Sequence, residues 1–191
     1  MKIQSVLMTV AFLVMTLSGQ LVSAQAMMGK EKTVMVGGAA MYPSKNIIQN
    51  AVNSKEHTTL VAAVKAAGLV ETLEGAGPFT VFAPTNAAFD KLPKGTVETL
   101  LKPENKAMLT GILTYHVVAG KYGSKELAEM IKKGGGKAVL TTVNGQKLTV
   151  TMQGGKVIVT DAKGGKATVT TPDVFQSNGV IHVTDAVSLP K

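Results

Sequence analysis

Apolar residues recur along this chain with two different periods, and one gives way to the other near Gly136. Before that point the spacing is mostly helical. Ile47, Ile48 and Val52 fit a short helix over 46–52 that follows Pro43-Ser44. Leu60, Val61 and Val64 share one face of Thr58–Gly68, where a threonine can cap the start and Gly68 suits the end. After a break at Gly75–Pro78, the alternation of Phe79-Thr80-Val81-Phe82 predicts a strand. Pro84-Thr85-Asn86 turns it into a short helix starting at Ala87, with Thr85 or Asn86 as the cap. Pro103 suits the first turn of a helix carrying Met108, Leu109, Ile112 and Leu113 inward. Tyr115 to Val118 reads as a strand entering the core. Ser124 can cap a further helix with Leu127, Met130 and Ile131 inward, ended by a left-handed Gly134.

After Gly136 four runs rich in β-branched residues follow, over 137–142, 146–151, 156–160 and 166–171. Asn144-Gly145, Gly154-Gly155 and Gly164-Gly165 separate them. Asn-Gly between alternating runs is a strong hairpin signal, because the tight turn needs positive φ. Three such turns describe a meander more economically than a solenoid. A last strand over 180–184 follows Asn178-Gly179, for which positive φ is also expected. Helices first and strands second predict an α+β domain with a mainly antiparallel sheet.

The N-terminus has a different pattern. Met1-Lys2 precedes a mostly apolar run over 3–17, and the small-x-small triplets Val22-Ser23-Ala24 and Ala24-Gln25-Ala26 follow. That is the layout of an export signal over 1–24, since the run is shorter than the roughly 20 residues of a spanning helix. Residues 25–42 show no period and are expected to be a flexible leader, leaving 43–191 as a single domain. The product is therefore expected outside the cytoplasm: periplasmic, at the cell surface or secreted.

Composition narrows the chemistry. The chain has 191 residues and a net charge of +8, with no cysteine, no tryptophan and no arginine. Disulfides and thiolate chemistry are excluded. A lysine-only basic surface with few aromatics lacks the bidentate forks and stacking platforms of nucleic-acid readers. Scattered lysines solubilise the surface and leave open weak contact with anionic polysaccharides or membranes.

No catalytic constellation emerges. His57, His116 and His182 stand apart, without metal-ligand spacing, and the twelve carboxylates are dispersed. His116 and His182 lie in apolar stretches, where a backbone-bonded core histidine is the expected role. Joining His182 to Asp185 and a serine would need a nucleophile elbow, and no Gly-x-Ser-x-Gly exists. Gly134-Gly135-Gly136-Lys137 follows a helix instead of opening one, so it is no phosphate loop. No cofactor, metal site or enzymatic activity is expected.

Three segments carry a resemblance. Gly77–Phe89, reading Gly-Pro-Phe-Thr-Val-Phe-Ala-Pro-Thr-Asn-Ala-Ala-Phe, resembles the first signature box of the fasciclin domain family. Leu113-Thr114-Tyr115-His116-Val117-Val118 resembles its Tyr-His motif, and Ser177–Asp185 with Leu189-Pro190 its closing box. The three occur in order and span about residues 40 to 190. The resemblance implies a wedge of mainly antiparallel sheets, with short helices packed mostly from the N-terminal half. It also implies adhesion or interaction at an extracellular surface, without catalysis. In animal adhesion members the Tyr-His region and an Asp-Ile pair before the closing box are implicated in integrin binding. Tyr115 and His116 match the former; Asp173 and Val174 match the latter, with valine for isoleucine. Tyr115 and His116 are expected to be mainly structural, and Asp173 is the better candidate contact. The expected partner is an extracellular or cell-surface protein or glycan; self-association would supply the second binding face that a lone domain needs to bridge cells.

Overall fold

The structure, a computed structural model, describes residues 32–191. The export segment expected over 1–24 and the first part of the leader lie outside the described residues. The rest of that leader is not irregular. β1 (Val34–Val36) and β2 (Ala39–Met41) pair as an antiparallel hairpin turned by Gly37 and Gly38, both at positive φ. Val36 and Met41 are buried in the core, and the Gly37 carbonyl accepts from the Lys55 N–H at 3.2 Å. Strands of three residues are too short for alternation to show in the sequence.

Six α-helices and two strands follow before α7: α1 (Ile47–Ala51), α2 (Thr58–Ala67), α3 (Val70–Glu74), β3 (Phe79–Pro84), α4 (Asn86–Asp90), α5 (Thr96–Leu100), α6 (Lys106–Tyr115) and β4 (Val117–Ala119). α7 (Ser124–Lys133) leads into β5 (Lys137–Thr141), β6 (Lys147–Gln153), β7 (Lys156–Thr160), β8 (Lys166–Gln176) and β9 (Gly179–Thr184). Among the described residues no helix is long and apolar enough to cross a membrane.

Seven strands form one sheet in the order β4-β3-β9-β8-β7-β6-β5. Every neighbouring pair is antiparallel except β3 with β9, so the α+β expectation holds. The two ends of the sheet meet: Val118 bridges Thr142, and the Val143 N–H donates to the Val117 carbonyl at 2.8 Å. The sheet therefore curls around an inner core that includes Phe82, Leu127, Leu148, Val150 and Val159. A second core packs α1, α2 and α6 on the other side of β3 and β9 through Leu60, Val64, Leu113, Val81 and Ile181. β3 and β9 are thus covered on both faces, which explains their near-continuous apolar sequence.

Several local expectations change for identifiable reasons. α6 runs through Tyr115, and His116 caps its end, so the strand begins only at Val117. Met108 faces solvent on that helix. α7 starts from Gly123, with Ser124 already inside its first turn. Gly134 has φ of −85°, and the left-handed turn passes to Gly135 and Gly136. α2 has no cap of its own; Asn86 supplies it from 27 residues away, its Oδ1 accepting from the Thr59 N–H at 3.0 Å. Thr85 caps α4 by accepting from the Ala88 N–H.

The turn into β9 also differs. Neither Asn178 nor Gly179 has positive φ. Gly179 is required for another reason: a Cβ there would overlap the Phe79 carbonyl oxygen on the parallel neighbour. Asn178 is a buried anchor. Its Oδ1 accepts from the Ile47 N–H at 3.0 Å, and its Nδ2 donates to the Leu73 and Gly75 carbonyls at 2.7 and 2.9 Å. One side chain thereby ties α1 and the end of α3 to the start of β9.

Candidate functional site

The residues singled out in the sequence lie at the C-terminal end of α6 and on β8, but most of them face inward. Tyr115 is fully buried, because the last turn of α6 points it into the inner core. Its hydroxyl donates to the Lys147 carbonyl and accepts from the Ala162 N–H, both at 2.9 Å, and so clasps two loops of the meander. Burial raises its pKa above the usual tyrosine value, an effect opposed by the Ala162 N–H.

His116 is equally enclosed. Its Nδ1–H donates to the Ile112 carbonyl at 2.8 Å, and its Nε2 accepts from the Ser188 N–H at 3.0 Å. Both bonds together need the neutral ring. Burial lowers its pKa, with the Ile112 carbonyl acting in the opposite direction. His116 thus staples the C-terminal segment to α6.

Val174 is 1% exposed and packs in the helix-side core with Ile181. The alternation of β8 explains this, since Val174 points in while Asp173 and Phe175 point out. Three of the four candidate contacts are therefore part of the framework. Asp173 alone reaches the surface.

Asp173 sits where β8 is irregular. The register between β8 and β9 shifts between Thr171 and Val174, and Asp173 is the one non-glycine residue at positive φ among the described residues, at 59°. Aspartate tolerates that region better than most residues. The kink turns its carboxylate onto the start of α7, where it accepts from the Ser124 N–H at 2.6 Å and from the Ser124 hydroxyl. A carboxylate at a helix N-terminus satisfies an orphan donor and complements the helix dipole. The Asp173 N–H faces His182 Nδ1 at 3.4 Å, and His182 Nε2–H donates to the Tyr122 carbonyl at 2.7 Å. The His182 ring, stacked on Phe82, is neutral, and burial lowers its pKa.

His182 and Asp185 do not form a catalytic pair. Asp185 instead accepts from the Thr168 N–H at 2.7 Å and lies beside Lys91. Among the described residues no cluster of three or more potential ligands could hold a metal ion.

Beside Asp173 lies a surface that was not among the sequence-predicted contacts. Phe175 is 39% exposed, and Lys121 Nζ sits 5.2 Å from its ring centroid. Pro172 is exposed on the same strand. Alternation along Asp173-Val174-Phe175 was the available signal, because it places the aromatic on the side of the carboxylate.

Comparison with known proteins fits this architecture. The model of the fasciclin domain matches residues 55–190. Protein sll1483 of a Synechocystis strain is 47% identical over 161 residues, covering 84% of this chain and 82% of that protein. Transforming growth factor-beta-induced protein ig-h3 of Sus scrofa is 37% identical over 133 residues, covering 69% of this chain and 17% of that protein. Among solved structures, a FAS1 domain pair from the insect cell adhesion molecule Fasciclin I superposes with a TM-score of 0.69 at 18% identity, covering 83% of this chain and 58% of that one. The chain belongs to the fasciclin domain family, a family of adhesion and extracellular interaction modules that are generally not enzymes.

Proposed function

We propose that this fasciclin-family chain is exported and acts as a non-enzymatic module that binds a protein or glycan at an extracellular surface. The observation that carries the reading is the division of labour around β8. Every histidine is buried, and the Tyr115, His116 and His182 polar groups are engaged in holding the framework. The same framework holds Asp173, Phe175 and Lys121 outward on one patch. Exposed aromatics beside charged groups are the residues that dominate protein interfaces. Asp173 and Phe175 are the proposed contacts, while Val174, Tyr115 and His116 fix the backbone that presents them. The N-terminal signal pattern and the adhesion molecules among the similar proteins support this reading.

Binding of the purified protein to a panel of extracellular proteins and glycans at physiological salt tests it. The expected result is saturable binding weakened by Phe175→Ala. Binding that appears only at low salt would instead favour contact through the net charge of +8 with an anionic polysaccharide or membrane.

A further inference from the structure

The meander carries an outer face that neither core uses. Inward positions such as Leu140, Leu148, Val150 and Val159 fill the inner core. Alternation turns the positions between them outward. Each strand begins its outward row with a lysine: Lys137 on β5, Lys147 on β6, Lys156 on β7 and Lys166 on β8. Threonine takes most of the remaining outward positions, at Thr141, Thr149, Thr151, Thr160 and Thr168. Ile158 also points out, since it faces Thr151 and Thr168 in register and belongs to neither core.

Register joins these rows into one surface. Lys137 lies opposite Thr151, Lys147 opposite Thr141, Lys156 opposite Gln153 and Lys166 opposite Thr160. No two of these lysines are direct cross-strand partners, a placement that avoids like-charge pairs. Lys137 and Lys156 stand two strands and two residues apart, as do Lys147 and Lys166, which spaces each pair by about 12 Å. No outward position of β5, β6, β7 or Lys166–Thr168 is acidic. Asp161 and Asp185 adjoin the strands, but their carboxylates accept from the main-chain N–H groups of Lys163, Gly165 and Leu189 and of Thr168, respectively. Among the described residues the five threonine hydroxyls have no hydrogen-bond partner.

We propose that this face binds a linear anionic polysaccharide, one that carries carboxylate or sulfate groups, laid across the four strands. The inference is independent of the patch at Asp173 and Phe175, and it gives one domain a second face with which to bridge a glycan and a protein. The ammonium groups meet the acidic groups of the polymer. The free hydroxyls, each both donor and acceptor, meet its sugar hydroxyls. A membrane surface fits less well, because no outward Trp, Phe or Leu is available to enter the headgroup layer. A protein partner would lack the aromatic or arginine anchors on which interfaces depend. Without arginine or aromatic rings the face also has neither forks nor stacking platforms for nucleic acid.

The test is a titration of the ¹⁵N-labelled protein with hexagalacturonate at about 0.15 M salt, beside uncharged maltohexaose and vesicles of equal parts phosphatidylcholine and phosphatidylserine. Saturable amide shifts are expected with hexagalacturonate alone, confined to β5, β6, β7 and the start of β8. Lys137→Glu combined with Lys166→Glu is expected to weaken binding at least about tenfold. Lys94→Glu combined with Lys102→Glu lowers the net charge of +8 by the same four units at exposed positions of the helical half, and is expected to change affinity by less than about twofold. Should the first pair fail to fold, the shift pattern of the parent protein decides. Equal weakening by both pairs, or shifts spread over every lysine-bearing surface, would reduce the effect to net charge and overturn the proposal. So would tighter binding to the vesicles than to hexagalacturonate, or no saturable binding to it.

Discussion

Asp173 and Ser124, 49 residues apart, lock the bulge of β8 to the first turn of α7: the carboxylate accepts from the Ser124 N–H at 2.6 Å and from its hydroxyl. The link explains why a residue at the surface is also structural. α7 has no side-chain cap of its own, because Gly123 holds that position.

Asp173→Ala removes the cap and leaves an alanine at φ of 59°. The expected loss is about 2 kcal/mol, combining a lost cap with the cost of a Cβ residue in the left-handed region. Asp173→Asn keeps an acceptor oxygen and tolerates that backbone, so it should lose less than about 1 kcal/mol. Urea unfolding of both variants checks this ordering. Equal stability of the alanine variant and the parent would show that the cap contributes nothing.

Gly179→Ala should be far more damaging than a substitution at a turn glycine. Its Cβ would collide with the rigid Phe79 carbonyl, whereas a Cβ at Gly164 meets open space and only φ of 87° opposes it. We expect a loss of about 3 kcal/mol or more at Gly179 and about 1–2 kcal/mol at Gly164. Thermal unfolding compared across the two variants measures the difference. A milder effect at Gly179 would mean that β3 and β9 can separate at that end without cost.

Stability should fall as pH drops below neutrality. His57, His116 and His182 all have pKa values lowered chiefly by burial, so the unfolded chain binds protons at a pH where the folded one does not. Their contribution is complete above the ordinary histidine value of about 6.5 and declines below it until the folded groups also protonate. The slope is at most about 1.4 kcal/mol per pH unit for each histidine. Unfolding free energies at pH 7.5, 6.5 and 5.5 give it directly, and His116→Gln should flatten the curve by one group. A flat profile over this range would contradict the buried neutral rings.

Much of this fold was legible in the chain. Alternation around the glycine pairs of the meander located β5 to β7 within a residue or two, and the apolar run at 180–184 marked β9. The register that makes β3 and β9 parallel neighbours was not visible, because it depends on Gly179 packing against the Phe79 carbonyl across a hundred residues of intervening chain. Caps made in tertiary contact were hidden for the same reason: Asn86 serves α2 and Asp173 serves α7, and neither is adjacent to the helix it completes. Of the candidate contacts, Asp173 was found by resemblance. Val174 could have been set aside by alternation, and Phe175 gained by the same argument.

The outward side of β8 is proposed as the binding surface, with the buried Tyr115-His116 pair as its support. The most direct measurement compares Phe175→Ala and Asp173→Asn with the parent protein, using the panel ligand that the parent binds most tightly at physiological salt. Circular dichroism and unfolding midpoints are recorded beside the affinities. Both variants are expected to keep the parent's fold while Phe175→Ala weakens binding by about tenfold or more, the loss of one interface anchor of about 1.4 kcal/mol. Unchanged affinity in both variants would place the binding surface elsewhere on the domain and contradict the account.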